Sequence, residues 1–507
     1  MKRILALSTA VSLALLVFLW GGVSSGGGPG KVAPSNLTVA PVNPAYLEYQ
    51  QQKAAGALKT HTSGGHALGY RPPIMDLSHV HQNPVDISKG KGAPPPSFDW
   101  RYANGVTAVR DQGQCGSCWA FATMGALEAF FRIRDGNNFY LSVNNMASCQ
   151  WPYLLGRCDG GNSFMSTGNL VGLVWNPLKG GYYDNKPRGA LTNSKDPYKE
   201  YSHNDKKCYK RPAPLAMVDS VRWIAADATT LKNAIMNYGP VTTALYMTED
   251  APWWNPATAT LNYPSPPPNQ TNHMVVLVGW DDHNNVWIAK NSWGKKWGDK
   301  GYFYITYGSA NIAIYDNLAF EQTRFYNKYE LLYVEDLPGM MTGAGSGINP
   351  CTYYAGLVFS PSYDYEWLTA VEFYTTAPGT QYVIKVWETV SHPSSTTVQF
   401  SGNVLFTASG TAGEMGYYTV AVPTQPQLTY PNEYGVEVKL YNPIFPWPLP
   451  IAYPDPSDPS FPVDNFWDST SGTTYSSTNP APGGTFSWLN VGGIGHSAIG
   501  IRARTEY

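Results

Sequence analysis

The sequence predicts an α+β region, a helix-rich half and then a sheet-rich half, followed by an all-β sandwich. Three observations carry this reading: an apolar helix pattern starting near residue 118, a succession of short strand-like runs from residue 241, and strand patterns alone beyond about residue 330. A chain of 507 residues exceeds one compact core, so two folded domains behind a leader are expected. With 43% hydrophobic, 14% aromatic and 14% charged residues the composition is globular, and 49 Gly with 41 Pro promise many turns and argue against an all-helical fold.

Charge divides the chain into two parts. Residues 330–507 carry 4 Lys+Arg against 15 Asp+Glu, net −11, whereas residues 1–329 carry 30 against 21, net +9. Neither part has the dense cationic stripe that a phosphate backbone requires, which argues against nucleic acid as a partner. The first residues read MKR, then an apolar run from Ile4 to Trp20 and small residues, the pattern of an export signal. Cleavage is expected after Ser25, with Val23 and Ser25 at the small-residue positions, although the run is also long enough to remain as an anchor. The rest of the chain is then expected outside the cytoplasm, secreted or attached to the cell surface, where disulfides persist.

Residues 26–95 are rich in Gly, Pro, Ser and His without a sustained period, and read as a leader with little core of its own. The catalytic region is assigned to residues 96–328. Its first helix, SCWAFATMGALEAFFRIR, has Ser117 as candidate cap and Gly136 just past its end, and its nearly continuous apolar circumference predicts burial. A second helix, ATTLKNAIMNY, stops at Gly239-Pro240, and VTTALYM, HMVVLVGW, NVWIAKNSW and GYFYITY read as strands. In residues 329–507, GVEVKL and YVIKVW alternate apolar and charged positions, as half-buried strands do.

Six cysteines stand at 115, 118, 149, 158, 208 and 351. Cys115 and Cys118 have C-x-x-C spacing, which admits a redox dithiol, half of a zinc site, or one structural and one reactive thiol. The wide spacing of Cys149 and Cys158 speaks against zinc, and no metal site is assigned. Cys118 directly follows the start of a buried helix, where free N–H groups and the macrodipole favour a thiolate.

QGQCGSCWAF, residues 112–121, resembles the active-site segment of papain and the cathepsins, and CDGG (158–161), NHMVVLVGW (272–280) and AKNSWGKKWGDKGYFYI (289–305) resemble the same family in the same order. The resemblance implies an α+β papain-like two-lobed catalytic domain, a helical half plus a β-barrel-like half, and cysteine endopeptidase activity on proteins or peptides, without a cofactor. It makes Cys118 the nucleophile, His273 the base and Asn291 its orienting partner, with Gln112 and the Cys118 N–H as oxyanion donors. An ion pair between Cys118 and His273 is expected. Trp293 would cover the His273–Asn291 contact, and Gly160 and Gly161 would leave a bare wall for substrate backbone. The family pattern also pairs Cys115 with Cys158 and Cys149 with Cys208, leaving Cys351 as a small buried residue. Met165 is a candidate contributor to a side-chain pocket, and His203 and His283 are assigned nothing.

The leader lacks the long charge-rich helical region of the eukaryotic relatives, and residues 69–84 are instead expected to lie along the catalytic domain. The C-terminal strands resemble the lectin-like sandwich that follows papain-type domains in some bacterial and archaeal secreted proteins. That resemblance implies glycans or a cell surface as partner, with Asp455, Asp458 and Asp464 as candidate Ca²⁺ ligands. A rival reading, a binding protein on an inactive papain scaffold, is disfavoured by the complete triad.

Overall fold

The structure is a computed structural model that describes residues 37–56, 62–82, 92–149, 158–171, 189–199, 212–250, 252–266, 270–334, 339–395, 397–452, 474–477, 485–488, 490–491, 494–496 and 498–507. The export signal, His203, Cys208 and the loop holding Asp455, Asp458 and Asp464 lie outside the described residues. Among the described residues, no helix is long and apolar enough to cross a membrane.

The leader has more structure than its sequence suggested. It contributes β1 (Thr38–Val39), α1 (Pro44–Ala54), β2 (Thr62–Ser63), β3 (His66–Ala67) and α2 (Ser78–Gln82). Helix α1 buries none of its residues, so it leaves no apolar period to read. Its signal is the Asn43-Pro44 pair: the Asn43 side chain accepts from the Ala45 N–H at 3.0 Å, and Pro44 sits in the first turn, where a missing N–H costs nothing. Nor is the leader coreless. Met75, Leu77 and Val80 are buried in the catalytic core, and Leu37 is buried in the core of the β region.

The helical half holds β4 (Ser97–Asp99), α3 (Cys118–Asp135), α4 (Val143–Ser148) and α5 (Ser163–Leu170). Every residue of α3 from Cys118 to Phe131 is buried, as its apolar circumference predicted. The helix ends at Gly136, whose φ of 69° is left-handed and whose N–H reaches the Arg132 carbonyl at 3.2 Å. Ser117 does not cap it with its side chain. Its backbone is not extended there (φ −108°, ψ 15°), and its hydroxyl turns instead to the Tyr198 hydroxyl at 2.9 Å.

The sheet half contains β5 (Ala216–Trp223), α6 (Ala228–Asn237), β6 (Val241–Leu245), β7 (Trp254–Asn255), β8 (Thr260–Leu261), β9 (His273–Asp281), β10 (Val286–Lys290), β11 (Tyr302–Thr306) and β12 (Tyr315–Phe325). They pair in the order β5-β12-β6-β9-β10-β11-β8-β7, with β4 on β9. Helix α3 packs its buried length against β9, so the start of the helix and the start of that strand meet where the two halves join.

The β region comprises β13 (Glu330–Tyr333), β14 (Thr342–Gly345), β15 (Cys351–Phe359), β16 (Glu366–Thr375), β17 (Thr380–Ser394), β18 (Thr397–Ala412), β19 (Met415–Ala421), β20 (Gln427–Leu428), β21 (Tyr434–Asn442), β22 (Leu449–Ala452), β23 (Thr474–Ser477), β24 (Thr485–Trp488), β25 (Asn490–Val491), β26 (Ile494–His496), β27 (Ala498–Ile499) and β28 (Ile501–Glu506). One layer, β15-β21-β17-β18-β24-β23, closes on itself as a barrel. Its Leu357, Ile384, Val436 and Val438 pack on Leu368, Val371, Phe373 and Ile501 of the other layer, β13-β28-β16-β19. Glu437, expected on a solvated strand face, is buried instead. It sits opposite Lys385 and accepts from the Trp387 indole at 3.1 Å.

The second layer does not end at the edge of the β region. Strand β19 pairs with β5 through Met415↔Trp223 and Tyr417↔Val221, so one sheet runs through both parts. Asp219 and Arg324 from the catalytic side meet Glu330, Glu372 and Arg504 in a mostly buried charge cluster across this seam. Leader strand β1 adds to β14 on the far side, so the leader grips both parts.

Candidate active site

The β9–β10 hairpin explains how two residues 18 apart meet: His273 opens β9 and Asn291 directly follows β10. The Asn291 Oδ1 accepts from its neighbour's backbone, the Ser292 N–H, at 2.8 Å. The same oxygen lies 2.8 Å from His273 Nε2, so in the neutral ring Nε2 carries the proton and Nδ1 is a bare acceptor. His273 Nδ1 is buried and has no hydrogen-bond partner. Next to it in sequence, Met274 contributes backbone hydrogen bonding to the Cys118 sulfur, which brings the start of α3 against the start of β9. The indole of Trp293 lies 4.8 Å from the His273 ring, centroid to centroid, and is 2% exposed, so it shields the His273–Asn291 contact from water.

Gln112 is fully buried and held from two sides. Its Oε1 accepts from the Ser292 hydroxyl at 2.6 Å, and the Tyr198 hydroxyl donates to its backbone carbonyl at 2.9 Å. Its Nε2 therefore faces the cleft, donating to the Cys115 carbonyl at 2.9 Å and to a leader carbonyl, that of Ala67, at 2.7 Å. Lys290, just before Asn291, is buried and donates to Thr107 at 3.1 Å, which in turn donates to Glu128 of α3 at 2.6 Å. Burial pushes this lysine down to about 8.

Leader residues 66–71 lie against the site. His66 stacks on Trp293 at 4.9 Å, Ala67 meets Gln112, Gly69 contributes backbone hydrogen bonding to the Cys118 sulfur, and Tyr70 bridges Gly161. At that bridge the Gly161 N–H donates to the Gly69 carbonyl at 2.9 Å and the Arg71 N–H to the Gly161 carbonyl at 3.0 Å. The passage is possible because of two glycines. A Cβ on Gly69 would stand 1.9 Å from the Gly116 carbonyl oxygen, and Gly160, at φ 100°, would place one 2.5 Å from the Gly69 carbonyl oxygen. Of the two glycines expected to leave a bare wall, Gly160 is the one whose missing Cβ faces the leader backbone, whereas a Cβ on Gly161 would stand 2.6 Å from the Trp119 ring.

Covering the cleft changes its electrostatics. Burial pushes the Cys118 thiol up to about 11, against backbone hydrogen bonding from Met274, Gly69 and Trp119. Burial also lowers His273 to about 4, and the Asn291 hydrogen bond only partly opposes it. Desolvation under the leader thus disfavours both charges of the expected ion pair and opposes the helix-start dipole.

Cys115 and Cys158 are joined in a disulfide, tying the turn before α3 to the Gly160 wall, and Cys149 is also disulfide-bonded, while its expected partner, Cys208, lies outside the described residues. Cys351 is free and buried. Met165 lies half-buried in the first turn of α5, and His283 is exposed. The sequence reading missed Ser292, which orients both Gln112 and Asn291, although it sits inside the NSW motif. It also missed Tyr198, and Asp316 near the start of β12, for which no motif gave a signal.

A family model described as "Papain family cysteine protease" matches residues 94–321, and one described as "Lectin like domain" matches residues 332–481. The chain is 32% identical over 225 residues to Pro-cathepsin H of Bos taurus, covering 43% of this chain and 62% of that protein, so it spans less than two thirds of that relative. It is 30% identical over 271 residues to the viral cathepsin of Choristoneura fumiferana nuclear polyhedrosis virus, covering 52% of this chain and 74% of that protein. The solved cysteine protease and lectin-like domains of Cwp84, a surface layer associated protein of Clostridium difficile, share the fold with a TM-score of 0.70 at 20% identity, covering 94% of this chain and 100% of that one.

Proposed function

The chain belongs to the papain family of cysteine proteases, and from that membership we propose that it is a secreted endopeptidase, made latent by its own leader, that cleaves extended protein segments through Cys118, His273 and Asn291. The observation that carries this reading is the His273 ring: Nε2 is committed to Asn291 at 2.8 Å, and buried Nδ1 is left without a partner, one residue before Met274, whose backbone meets the Cys118 sulfur. That is the tautomer a general base needs. With the leader gone, Nδ1 takes the thiol proton, and the sulfur attacks the peptide carbonyl carbon. The oxyanion is held by the Cys118 N–H and Gln112 Nε2. Collapse breaks the C–N bond, His273 returns its proton to the departing amine, and a thioester remains. Water activated by His273 then hydrolyses the thioester and restores the thiol. No cofactor enters the sequence of steps.

Gln112 supplies one of the two oxyanion donors, so Gln112→Ala is expected to lower kcat by about 10²–10³-fold with little change in KM. Steady-state kinetics on the activated protein checks this, and an unchanged kcat would remove Gln112 from the site.

Latency is expected to weaken in acid. The leader's His81 is lowered to about 4 by burial while the leader is docked, and its Nδ1 accepts from the Ala226 N–H at 2.9 Å. Once exposed, it would titrate near 6.5, so the docked form binds fewer protons between about pH 6.5 and 4. Docking is therefore fully favoured above pH 6.5 and loses up to roughly 3 kcal/mol as pH falls to 4. Onset of activity in the uncleaved chain, followed across pH 7 to 4, reads this. A chain equally latent at pH 4 would contradict it.

Export is supported by the N-terminal apolar run and by the Cys115–Cys158 disulfide, which suits an oxidising compartment. The Cwp84 structure of similar fold comes from a surface layer associated protein, in keeping with a cell-surface setting. The lectin-like match suggests a glycan partner for the β region. Because β19 pairs with β5, a fragment starting at residue 330 would expose an open strand edge, so the test uses the full chain. Retention of a Cys118→Ala chain on a glycan array is expected, and no retention on any sugar would leave the β region a packing role.

A further inference from the structure

Leader strand β1 sits at the end of a small sheet, β1-β14-β22-β27, and gives the leader a second hold on the molecule, apart from the cleft. It runs antiparallel to β14 with Thr38 opposite Gly345 and Val39 opposite Ala344, and the Ala40 N–H donates to the Gly343 carbonyl at 2.8 Å. Pro41 follows, with no N–H to continue the ladder. The side chains alternate as a two-faced strand requires. Leu37, 5% exposed, lies in the core of the β region with Ala344, Leu449, Ile451 and Ile499, and half-buried Val39 packs on the same core. Thr38 lies on the exposed face, where its hydroxyl donates to the Gly345 carbonyl at 3.2 Å and accepts from the Trp447 indole at 2.9 Å. With the leader gone, β14 keeps β22 on one side and has an empty edge on the other. The Gly343 and Gly345 carbonyls lose these donors, and an apolar slot opens where Leu37 was inserted. Such an edge is a template for an extended chain. The hydrolytic steps above use none of these residues.

We propose that the β14 edge is an exosite, a second binding place for the protein substrate, that takes an extended segment with aliphatic side chains at alternate positions. This rests on the protease reading above, in which the leader leaves and protein segments take its place in the cleft. The leader is the template for such a substrate: one chain that lies against the site at residues 66–71 and adds a strand to β14 at Thr38–Val39, with residues 41–65 between the two contacts. A flexible substrate that engages both places makes its second contact intramolecularly, and short flexible links give effective concentrations in about the millimolar range, so a weak strand contact becomes a gain in affinity. Because β14 touches no reacting atom, the gain is the same in the ground state and the transition state and falls on KM, leaving kcat unchanged. Selection comes from the Leu37 slot, which rejects charge, and from the strand ladder, which rejects proline.

The test uses the full chain with an exogenous protease site inserted at Gly92, which is exposed and whose Cβ position is open. After cleavage there and removal of the leader, kinetics are measured on one unstructured peptide, either bare or joined at one end or the other, through a flexible Gly/Ser linker, to the sequence of residues 37–43, LTVAPVN. The better of the two tagged peptides is expected to show a KM about 10- to 100-fold below that of the bare one, with kcat unchanged. The gain should vanish when the tag carries Leu37→Asp and Val39→Asp, and free LTVAPVN should compete away the tagged peptide's advantage without slowing the bare one. These controls alter the ligand and leave the protein's fold untouched. Equal KM for bare and tagged peptides, or an equal gain with the Asp-bearing tag, would overturn the inference while leaving the protease reading intact. A leader-free chain that runs as a dimer and shows no KM difference would give the edge to a second copy and overturn it too. A chain that cleaves none of the peptides would overturn both readings.

Discussion

With the leader removed, the protein is expected to hydrolyse a denatured protein under reducing conditions, and Cys118→Ala to lower that turnover by roughly 10⁶-fold, to the level set by binding and oxyanion donors alone. The size of the effect follows from the chemistry, since no other described group stands where a thiolate is required. Cys351, the other free cysteine among the described residues, is buried in the core of the β region. The substitution removes one sulfur from a helix start that is buried on every side, and alanine is favourable in a helix, so folding should survive. Stability of the variant, measured by urea denaturation, should therefore stay near wild type while activity is lost. Retained activity would move the nucleophile elsewhere.

The second large effect concerns the leader. Gly69→Val is expected to convert the uncleaved chain from latent to active without any acid step. A Cβ at this position would stand 1.9 Å from the Gly116 carbonyl oxygen, and backbone on both sides leaves no flexible side chain to give way. The segment must lift, and the contacts of Ala67 with Gln112 and of Tyr70 with Gly161 lift with it. Exposure of the cleft also restores water to Cys118 and His273, which lowers the first pKa and raises the second toward the ion pair that the leader suppresses. The leader stays tethered through β1 and the buried Met75 and Val80, so the effect is on the cleft and not on attachment. Latency of Gly69→Val equal to wild type would show that residues 66–71 do not govern access.

The residues of the candidate site were legible because each lies in a contiguous segment whose chemistry is local: a thiol at a helix start, a histidine opening a strand, an asparagine following the next one. The burial of α3 was legible for the same reason, from its apolar circumference. What escaped is held by backbone or by distance. Residues 69–84 were expected to lie along the catalytic domain from their Pro-bounded apolar content, but their route through the cleft depends on Gly69 having no side chain, and a glycine in a Gly-rich stretch carries no signal. Helix α1 has no buried face and so no period. The pairing of β5 with β19 joins residues about 200 apart through main-chain bonds that any side chain permits. The desolvation of Cys118 and His273 was not legible, because the helix dipole is visible in sequence whereas the burial that opposes it comes from a segment some 50 residues upstream.

That residues 66–71 keep a complete Cys118–His273–Asn291 site covered can be read from the rate at which a thiol-directed epoxide modifies Cys118 before and after cleavage at a protease site inserted at Gly92, followed by mass spectrometry. The uncleaved chain is expected to stay unmodified at neutral pH and to take one epoxide per chain, on Cys118, once the leader has been cut and removed. Equal modification before and after removal, or a leader-free chain whose Cys118 stays unmodified, would contradict it.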